Sequence, residues 1–282
     1  MSTLFDTYTL ENGLRIPVMG LGTSGMSDEI AAKSVETAIK IGYRLIDTAA
    51  DYHNEVGVGR GVLSAGLSRD EIFITSKLSN DVRGYDDTVA AVDQSIKNLQ
   101  CDYLDLYLIH WPKPVAFRNN WEKANADSWR ALEDLYHQGR IKSIGVSNFH
   151  IPHLEALAKT QLVAPMINQL FLAPGELQED VVAYCRDHNI IPEAYSPLGA
   201  GKVFKVKELK KIADNHGKTI AQVALRWSLV HNFIPIPKSK DEARMRENAD
   251  IFDFKLTPDE IEIIDSLDGV AGRTTDPDSL TV

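Results

Sequence analysis

The sequence predicts an α/β protein, a closed (β/α)8 TIM barrel with an N-terminal β-hairpin. Eight short apolar runs alternate along the chain with segments whose apolar residues recur at helical spacing. The chain has 282 residues, which suffices for one such barrel, and no Pro/Gly-rich linker divides it. We therefore expect a single domain over residues 1–282.

The hairpin comes first. The stretch "YTLENGLRIPV" places two short apolar runs around Asn12-Gly13, which is typical of a β-hairpin. The predicted barrel strands then follow in the order "VMGL", "RLIDT", "IFITSK", "DLYLIH", "SIGVSN", "MINQ", "IPEAYS" and "FIPIPKS".

Segments of helical period lie between these runs. The residues that share helical faces are Ala31, Val35, Ala38 and Ile39, then Val89, Val92, Ile96 and Leu99, then Leu132, Leu135 and Tyr136. The stretch "TIAQVALRWSLV" is a further helix. In "TPDEIEIIDSL", Thr257 is the predicted N-cap, Pro258 takes the first helical position and Glu260 completes a capping box.

Composition narrows the class of partner. Forty acidic and 30 basic residues give a net charge of −10, which argues against nucleic acid or an anionic membrane as the main partner. No apolar run reaches membrane-spanning length, and the first residues do not resemble a signal peptide. Cys101 and Cys185, the two cysteines, have no metal-type spacing and suit a reducing compartment. We expect a cytoplasmic protein with a small-molecule ligand.

The glycines of "PVMGLGTSGMSDE" match a dinucleotide fingerprint, G-x-G-x-x-G, at Gly20, Gly22 and Gly25, with an acid further on at Asp47. In that fingerprint the helix starts within the glycines and faces the phosphates. Here the helix is predicted to begin after Gly25, at residues 27–29, where two carboxylates would repel a pyrophosphate. We interpret the stretch as the first barrel strand and its loop.

Polar side chains follow the predicted strands, at the end of a barrel where chemistry takes place. Strand two ends in Asp47, with Tyr52 five residues on; strand three ends in Lys77 and strand four in His110. The later strands end in Ser147-Asn148, Asn168-Gln169, Tyr195-Ser196 and Lys238-Ser239. Singly, each residue type is more often a cap, a rim charge or a packed side chain. However, Asp47, Tyr52, Lys77 and His110 come from three adjacent strands.

Together, these four residue types can supply a proton to a substrate oxygen at neutral pH. A tyrosine, with a pKa near 10, is a poor proton donor at neutral pH. A neighbouring ammonium lowers that pKa, and a carboxylate holds the ammonium in place. A neutral imidazole can direct a substrate oxygen by a hydrogen bond. Protonating an oxygen while hydride reaches its carbon is carbonyl reduction, which implies a nicotinamide cofactor.

At this point the chain resembles the aldo-keto reductase family, close to its bacterial 2,5-diketo-gluconate reductase branch. The stretches that carry the resemblance are "GLGTSGM", "GYRLIDTAADYHNEVGVGRG", "IFITSKL", "YLDLYLIHWP", "IKSIGVSNF", "INQ", "AYSPLG" and "IPKSKDEARMRENADIFDF". They run in family order over nearly the whole chain.

The resemblance implies NADPH-dependent reduction of aldehydes and ketones to alcohols. It makes Tyr52 the general acid, tuned by Lys77, with Asp47 pairing with Lys77 and His110 orienting the carbonyl. The implied NADPH/NADP+ contacts are Gly22 and Thr23 near the nicotinamide ribose, Ser147, Asn148 and Gln169 at the carboxamide, Tyr195 stacked on the ring, Ser196, Pro197, Leu198 and Gly199 at the pyrophosphate, Lys238, Ser239 and Arg244 at the 2′-phosphate, and Glu247 and Asn248 at the adenine. Asp47 is a further implied cofactor contact.

Apart from the resemblance, the residues assigned to the 2′-phosphate and the adenine also form a pattern that favours an anion. Arg244, Glu247 and Asn248 fall at i, i+3 and i+4, on one face of a helix. Lys238 and Ser239 precede the start of that helix, where backbone N–H groups favour an anion.

Predicted substrate contacts include three departures from the family. The predicted set is Ser24, Tyr52, His53, Ser79, His110 and Trp111. Ser24 and Ser79 stand where relatives often carry aromatic residues, and His53 stands where many carry Gly. We expect a wider and more polar pocket than in such relatives.

We expect the reductase to be a monomer. Two alternatives to the reductase stay open. The first is a non-catalytic NADPH-binding module on the same fold. The second is a metal site at His150-x-x-His153, which Pro152 and the lack of a nearby third ligand disfavour. We interpret this stretch as a helix start and expect no metal.

Overall fold

The computed structural model describes residues 3–281. Its first element is the expected antiparallel hairpin, β1 (Thr7–Thr9) and β2 (Arg15–Pro17), with Thr7 opposite Pro17. Leu10 and Ile16 of this hairpin pack among side chains from the starts of the barrel strands. The hairpin therefore closes the N-terminal end of the barrel and leaves the opposite end for a site.

Eight parallel strands form the barrel that the alternating pattern predicts. They are β3 (Leu21–Gly22), β4 (Leu45–Asp47), β5 (Phe73–Leu78), β6 (Leu106–Ile109), β7 (Ile144–Ser147), β8 (Ile167–Phe171), β9 (Ile191–Tyr195) and β10 (Ile234–Ile236). Each strand pairs with the next along the chain, and a parallel bridge between Gly22 and Lys238 joins the first strand to the last. The sheet is thus closed.

The first strand is shorter and lies later than the predicted run "VMGL", since β3 covers only Leu21–Gly22. The preceding backbone still follows β10, because the Gly20 amide donates to the Pro235 carbonyl at 3.0 Å. A Cβ at Gly22 would lie 2.8 Å from the Ile236 carbonyl oxygen, so this crossing requires glycine.

Ten helices lie outside the strands within residues 3–281. They are α1 (Asp28–Ile41), α2 (Glu55–Ser64), α3 (Tyr85–Leu99), α4 (Trp121–His137), α5 (Ile151–Ala158), α6 (Glu179–Asp187), α7 (Lys207–His216), α8 (Ile220–Val230), α9 (Glu242–Ala249) and α10 (Pro258–Asp265). Short 3-10 helices cover Ala50–Tyr52, Arg69–Glu71, Val115–Asn120, Gly199–Lys205 and Pro277–Ser279.

The predicted helix starts are confirmed. Ser27 caps α1, so the helix begins after the glycine loop, and the Asp28 carboxylate accepts the Gly57 amide at 2.6 Å. The capping box between Thr257 and Glu260 opens α10. With the closed barrel, these contacts agree with our interpretation of the glycine stretch as a strand and loop.

His150 and His153 also mark a helix start. The backbone N–H of His150, the N-cap of α5, donates to Nδ1 of His153 at 3.2 Å, and Nε2 of His153 contacts Asp278 at 3.3 Å. Within residues 3–281, no group of three or more His, Cys, Asp or Glu side chains is arranged to hold a metal ion. None of the helices in this range is both long and apolar enough to cross a membrane.

Most of the apolar core lies between the sheet and the surrounding helices, and a second, smaller cluster fills the start of the barrel. Near the C-terminal ends of the strands, the side chains inside the barrel are polar. The buried ones are Asp47, Lys77, Gln169 and Glu193. Buried polar groups of this kind need partners, and those partners define the site.

Candidate active site

The catalytic residues predicted from the strand ends meet at the C-terminal end of the barrel. Asp47 ends β4, Lys77 lies in β5, His110 follows β6 and Tyr52 ends a 3-10 turn after β4. The Lys77 ammonium donates to both carboxylate oxygens of Asp47 at 2.9 and 2.8 Å, and to the Thr48 carbonyl at 2.9 Å. It also lies 3.4 Å from the Tyr52 hydroxyl.

Burial and charge set the protonation of this cluster. Burial opposes the charge of Lys77, but the neighbouring Asp47 and Tyr52 outweigh it, and the pKa of Lys77 rises above its ordinary value. Burial also raises the pKa of Tyr52, and Lys77 offsets this only in part. Lys77 thus acts in the expected direction, but the net shift is upward. Tyr52 is a protonated phenol at neutral pH.

His110 stands beside Tyr52 and is held by a carboxylate that the sequence analysis does not single out. Its Nδ1 lies 3.2 Å from Oδ2 of Asp51, and its ring meets Tyr52 edge-on, with centroids 5.8 Å apart. Burial lowers the pKa of His110 while Asp51 opposes that effect. The available signal for Asp51 is its place directly before Tyr52.

A second unpredicted acid lies beneath the site. Nε2 of Gln169 donates to Oδ2 of Asp47 at 2.9 Å and to Oε2 of Glu193 at 2.5 Å. Burial, reinforced by Asp47, raises the pKa of Glu193 to about 8. Both amide protons of Gln169 are thereby used, so its carbonyl oxygen is what it can offer a ligand. The signal for Glu193 is a charged residue inside the apolar run "IPEAYS".

A cavity of about 1000 Å³ opens above this cluster. The predicted site residues that line it are Gly22, Ser24, Asp47, Tyr52, His110, Trp111, Ser147, Asn148, Gln169, Tyr195, Ser196, Pro197, Leu198, Lys238, Ser239, Arg244, Glu247 and Asn248. Asn148 joins two sides of the cavity, because its amide donates to the His110 carbonyl at 3.1 Å and its oxygen accepts from the Tyr195 hydroxyl at 3.0 Å.

Other predicted residues lie outside the lining. Lys77 is beneath the floor, and Thr23 is buried with its hydroxyl donating to the Asp47 carbonyl at 2.9 Å. Gly199, His53 and Ser79 do not line the cavity either. Their assigned contacts with cofactor or substrate stay predictions.

The lining also includes residues that the sequence analysis does not name, Ala200, Gly201, Phe204, Ala221, Ile236 and Pro237. They are small or apolar and carry no chemical signature in the sequence. Ala200 and Gly201 have left-handed backbone, with φ of 52° and 91°, so the chain kinks at this part of the lining.

The far end of the cavity carries positive charge. Arg244 is exposed, and in the described part of the chain its guanidinium forms no ion pair, whereas Arg246 pairs with Glu242 at 2.7 Å. Nζ of Lys238 lies near Gly25, where an added Cβ would meet it at 3.6 Å. The carboxylate of Glu247 is held by the Thr219 hydroxyl at 2.7 Å. The unpaired cations suit a phosphate.

Comparisons with known proteins agree with this site. The model of the Aldo/keto reductase family matches residues 18–269. The chain is 46% identical over 280 residues to a glyoxal reductase of Bacillus subtilis, covering 99% of each chain. It is 43% identical over 278 residues to the methylglyoxal reductase DkgA of Yersinia pestis, covering 98% of this chain and 97% of that one.

A solved structure agrees as well. A Gox0644 mutant in complex with NADPH superposes with a TM-score of 0.91 at 39% identity, over 98% of this chain and 99% of that one. By its sequence, its barrel and the residues gathered at the strand ends, the chain belongs to the aldo/keto reductase family.

Proposed function

We propose that this protein reduces small aldehydes and ketones to alcohols with NADPH, and that Tyr52 donates the proton. The observation that carries the proposal is the contact of the buried Lys77 ammonium with both Asp47 and the Tyr52 hydroxyl, at the floor of a cavity. A non-catalytic binding module would not need this cluster, so we favour the enzyme.

The cavity fits the cofactor that the family implies. Its volume of about 1000 Å³ lies at the upper end of ordinary ligand pockets. At the far end, Arg244 and Lys238 would hold the 2′-phosphate. Near Tyr52, the Gln169 carbonyl oxygen and Asn148 would take the carboxamide. Bound NADPH supplies the hydride that reaches the carbonyl carbon.

The chain's own residues handle the proton. The pKa of Tyr52 lies above its ordinary value, so the phenol holds the proton that the carbonyl oxygen needs. After transfer, the Lys77 ammonium stabilises the phenolate oxygen through the 3.4 Å contact. Asp47 keeps that ammonium in place, and His110, on the cavity wall, positions the carbonyl oxygen when its Nε2 carries a proton.

Small, reactive carbonyl compounds are the substrate class that the names of the relatives indicate. The named relatives are a glyoxal reductase and a methylglyoxal reductase. Ser24, exposed on the cavity wall, adds a hydroxyl where an aromatic residue would add apolar surface. We therefore expect turnover of short, polar aldehydes, with Trp111 as the large apolar part of the wall.

Replacing Tyr52 tests the proposal. Tyr52→Phe should lower kcat for methylglyoxal by roughly 10²–10⁴-fold, the usual contribution of general acid catalysis. The Kd for NADPH, measured by fluorescence titration, should be unchanged. Tyr184→Phe is the matched control, because Tyr184 stacks on His188 away from the cavity. Near-normal turnover by Tyr52→Phe would remove Tyr52 as the donor.

We also propose that the protein is a cytoplasmic monomer with one domain over residues 1–282. One barrel that uses strands from Leu21 to Ile236 supports the single domain, and the free thiols of Cys101 and Cys185 suit the reducing cytoplasm. Light scattering on the purified protein and fractionation of cells test the monomer and the compartment.

A further inference from the structure

We propose that Asp51 is a positioning residue that fixes the single proton of neutral His110 on Nδ1. Nε2 then carries a lone pair, and His110 can donate a hydrogen bond to a carbonyl only as the imidazolium. The proton placement rests on the contact between the two side chains. Its kinetic consequence rests also on the proposed function.

Asp51 is held as an anion against His110. Its Oδ2 lies 3.2 Å from Nδ1 of His110 and accepts the Asn80 amide at 3.2 Å. Burial opposes ionisation, but hydrogen bonds from His110 and Ser79 outweigh it and lower the pKa of Asp51 to about 2. Arg83 adds an attractive charge nearby. An ionised carboxylate can only accept, so the proton between the two groups sits on Nδ1.

The other ring nitrogen is therefore what a ligand meets. Nε2 of His110 forms no hydrogen bond to any of residues 3–281, and His110 lines the cavity. A neutral imidazole has one N–H, so Nε2 is then an acceptor. A carbonyl oxygen is also an acceptor and cannot bond to it, whereas the hydroxyl of an alcohol can. The imidazolium can thus donate a hydrogen bond to the carbonyl substrate, and the neutral imidazole can accept one from the alcohol product.

Four titratable groups face His110. Asp51 and Asp47 favour its charged form, Lys77 disfavours it, and Tyr52 meets its ring edge-on. Asp51 makes the hydrogen bond and is the nearest of these charges. Removing its charge should therefore shift the titration of His110 to lower pH.

The proton placement can be read directly by ¹⁵N NMR of the full chain labelled at histidine, without any cofactor. The His110 signals are identified by their loss in His110→Gln. At a pH where His110 is neutral, we expect the Nδ1–H tautomer in the wild type and the Nε2–H tautomer in Asp51→Ala. A wild-type Nε2–H tautomer would overturn the proposal.

The charge can be tested separately. Asp51→Asn keeps an acceptor oxygen but removes the anion, so the midpoint of the His110 titration should fall by about one pH unit, the low end for a close charge. Asp81→Asn, an exposed acid on the neighbouring loop between β5 and α3, is the control and should leave both tautomer and midpoint unchanged. If Asp51 only stabilised the loop, Asp51→Asn would lower Tm and leave the midpoint in place, which would also overturn the proposal.

Kinetics then connect the pair to the reaction. For reduction of methylglyoxal, kcat/KM should fall on the alkaline side of the His110 midpoint. In Asp51→Asn, the alkaline limb of this pH–rate profile should move to lower pH by the same interval as the NMR midpoint. An alkaline limb that stays in place counts against the proposal. Absence of turnover with any carbonyl would count against the proposed function instead, because the NMR tautomer does not depend on catalysis. Should Asp51→Ala not fold, the wild-type tautomer and the Asp51→Asn titration still decide.

Discussion

Glu193 places a second carboxyl group near the Lys77–Asp47 pair, to which the Gln169 amide links it. Glu193 is fully buried, and its Oε1 has no hydrogen-bond partner in the described residues. Ionising it would place an uncompensated charge in the barrel, which explains why its pKa is raised. Glu193 is therefore a neutral acid that accepts from Gln169 at neutral pH.

This arrangement predicts a stability cost at alkaline pH. Between the ordinary glutamate pKa of 4.5 and the folded value of about 8, the folded state keeps a proton that the unfolded state has lost. The free energy of unfolding should thus fall as pH rises through this window, by up to about 1.4 kcal/mol per pH unit from this group. Glu193→Gln should remove that slope.

Urea unfolding at several pH values measures the effect. Relative to the wild type, Glu193→Gln should gain stability progressively from pH 5 to pH 8. Glu179→Gln, at the exposed start of α6, is the control and should follow the wild type. Equal pH slopes for Glu193→Gln and the wild type would mean that Glu193 titrates normally.

At the residue scale, the sequence predicts the cluster of Asp47, Tyr52, Lys77 and His110 because each stands at or just after a strand end. It does not predict Glu193. A strand buried on both faces shows no alternation, so hydropathy does not tell which side chains point into the barrel. Hydrogen-bond partners, such as the Gln169 amide, follow only from that direction.

The two arginines of helix α9 differ in their contacts. Arg244 lines the cavity and has no ion pair in the described part of the chain, whereas Arg246 is paired with Glu242 on the same helix. If Arg244 holds the 2′-phosphate, it makes charge-assisted hydrogen bonds worth about 1.5–3 kcal/mol.

Arg244→Ala should therefore weaken NADPH binding by roughly 10–150-fold. NADH, which lacks the 2′-phosphate, should be affected far less. Arg246→Ala is the matched control on the same helix and should leave both affinities nearly unchanged. Fluorescence titration with each cofactor measures the Kd values. Equal losses for NADPH and NADH in Arg244→Ala would place Arg244 outside the phosphate site.

At the element scale, the sequence predicts the order of strands and helices well and their edges less well. Ser24 and Ser79 both follow strand ends, yet only Ser24 lines the cavity. Ser79 is bound within its own loop, where its hydroxyl accepts the Asp81 amide at 3.2 Å and bonds to Asp51. Loop conformation depends on such local hydrogen bonds, which strand-end position alone does not determine.

Across the whole molecule, the barrel depends on a narrow closing seam. Strands β3 and β10 meet at Gly22, where a Cβ would lie 2.8 Å from the Ile236 carbonyl oxygen. A backbone carbonyl cannot rotate away as a side chain can, so a methyl group there must push the two strands apart.

Gly22→Ala should lower the free energy of unfolding by about 1–3 kcal/mol, the usual cost of overpacking. The measurement is urea unfolding followed by circular dichroism. Ser24→Ala, an exposed change two residues away, should stay within about 0.5 kcal/mol of the wild type. Wild-type stability in Gly22→Ala would show that the seam has room to spare.

At this scale the sequence predicts the barrel because the alternation of eight strands with helices leaves few topologies. Contacts between distant parts of the chain lie beyond such patterns. Asp278, for example, lies 2.8 Å from Lys113 and also contacts His153. No periodicity or motif links these positions.

The burial of Lys77 also bears on how the protein would withstand the dicarbonyl compounds proposed as its substrates. Dicarbonyl compounds glycate amines and guanidines, and a free amine is required for attack. Lys77 is fully buried, and its raised pKa keeps it an ammonium ion. Both properties protect it from forming an adduct. Lys238 and Arg244 lie exposed at the other end of the cavity. Glycation by such compounds would therefore modify the proposed phosphate-binding side chains first and leave Lys77 unmodified.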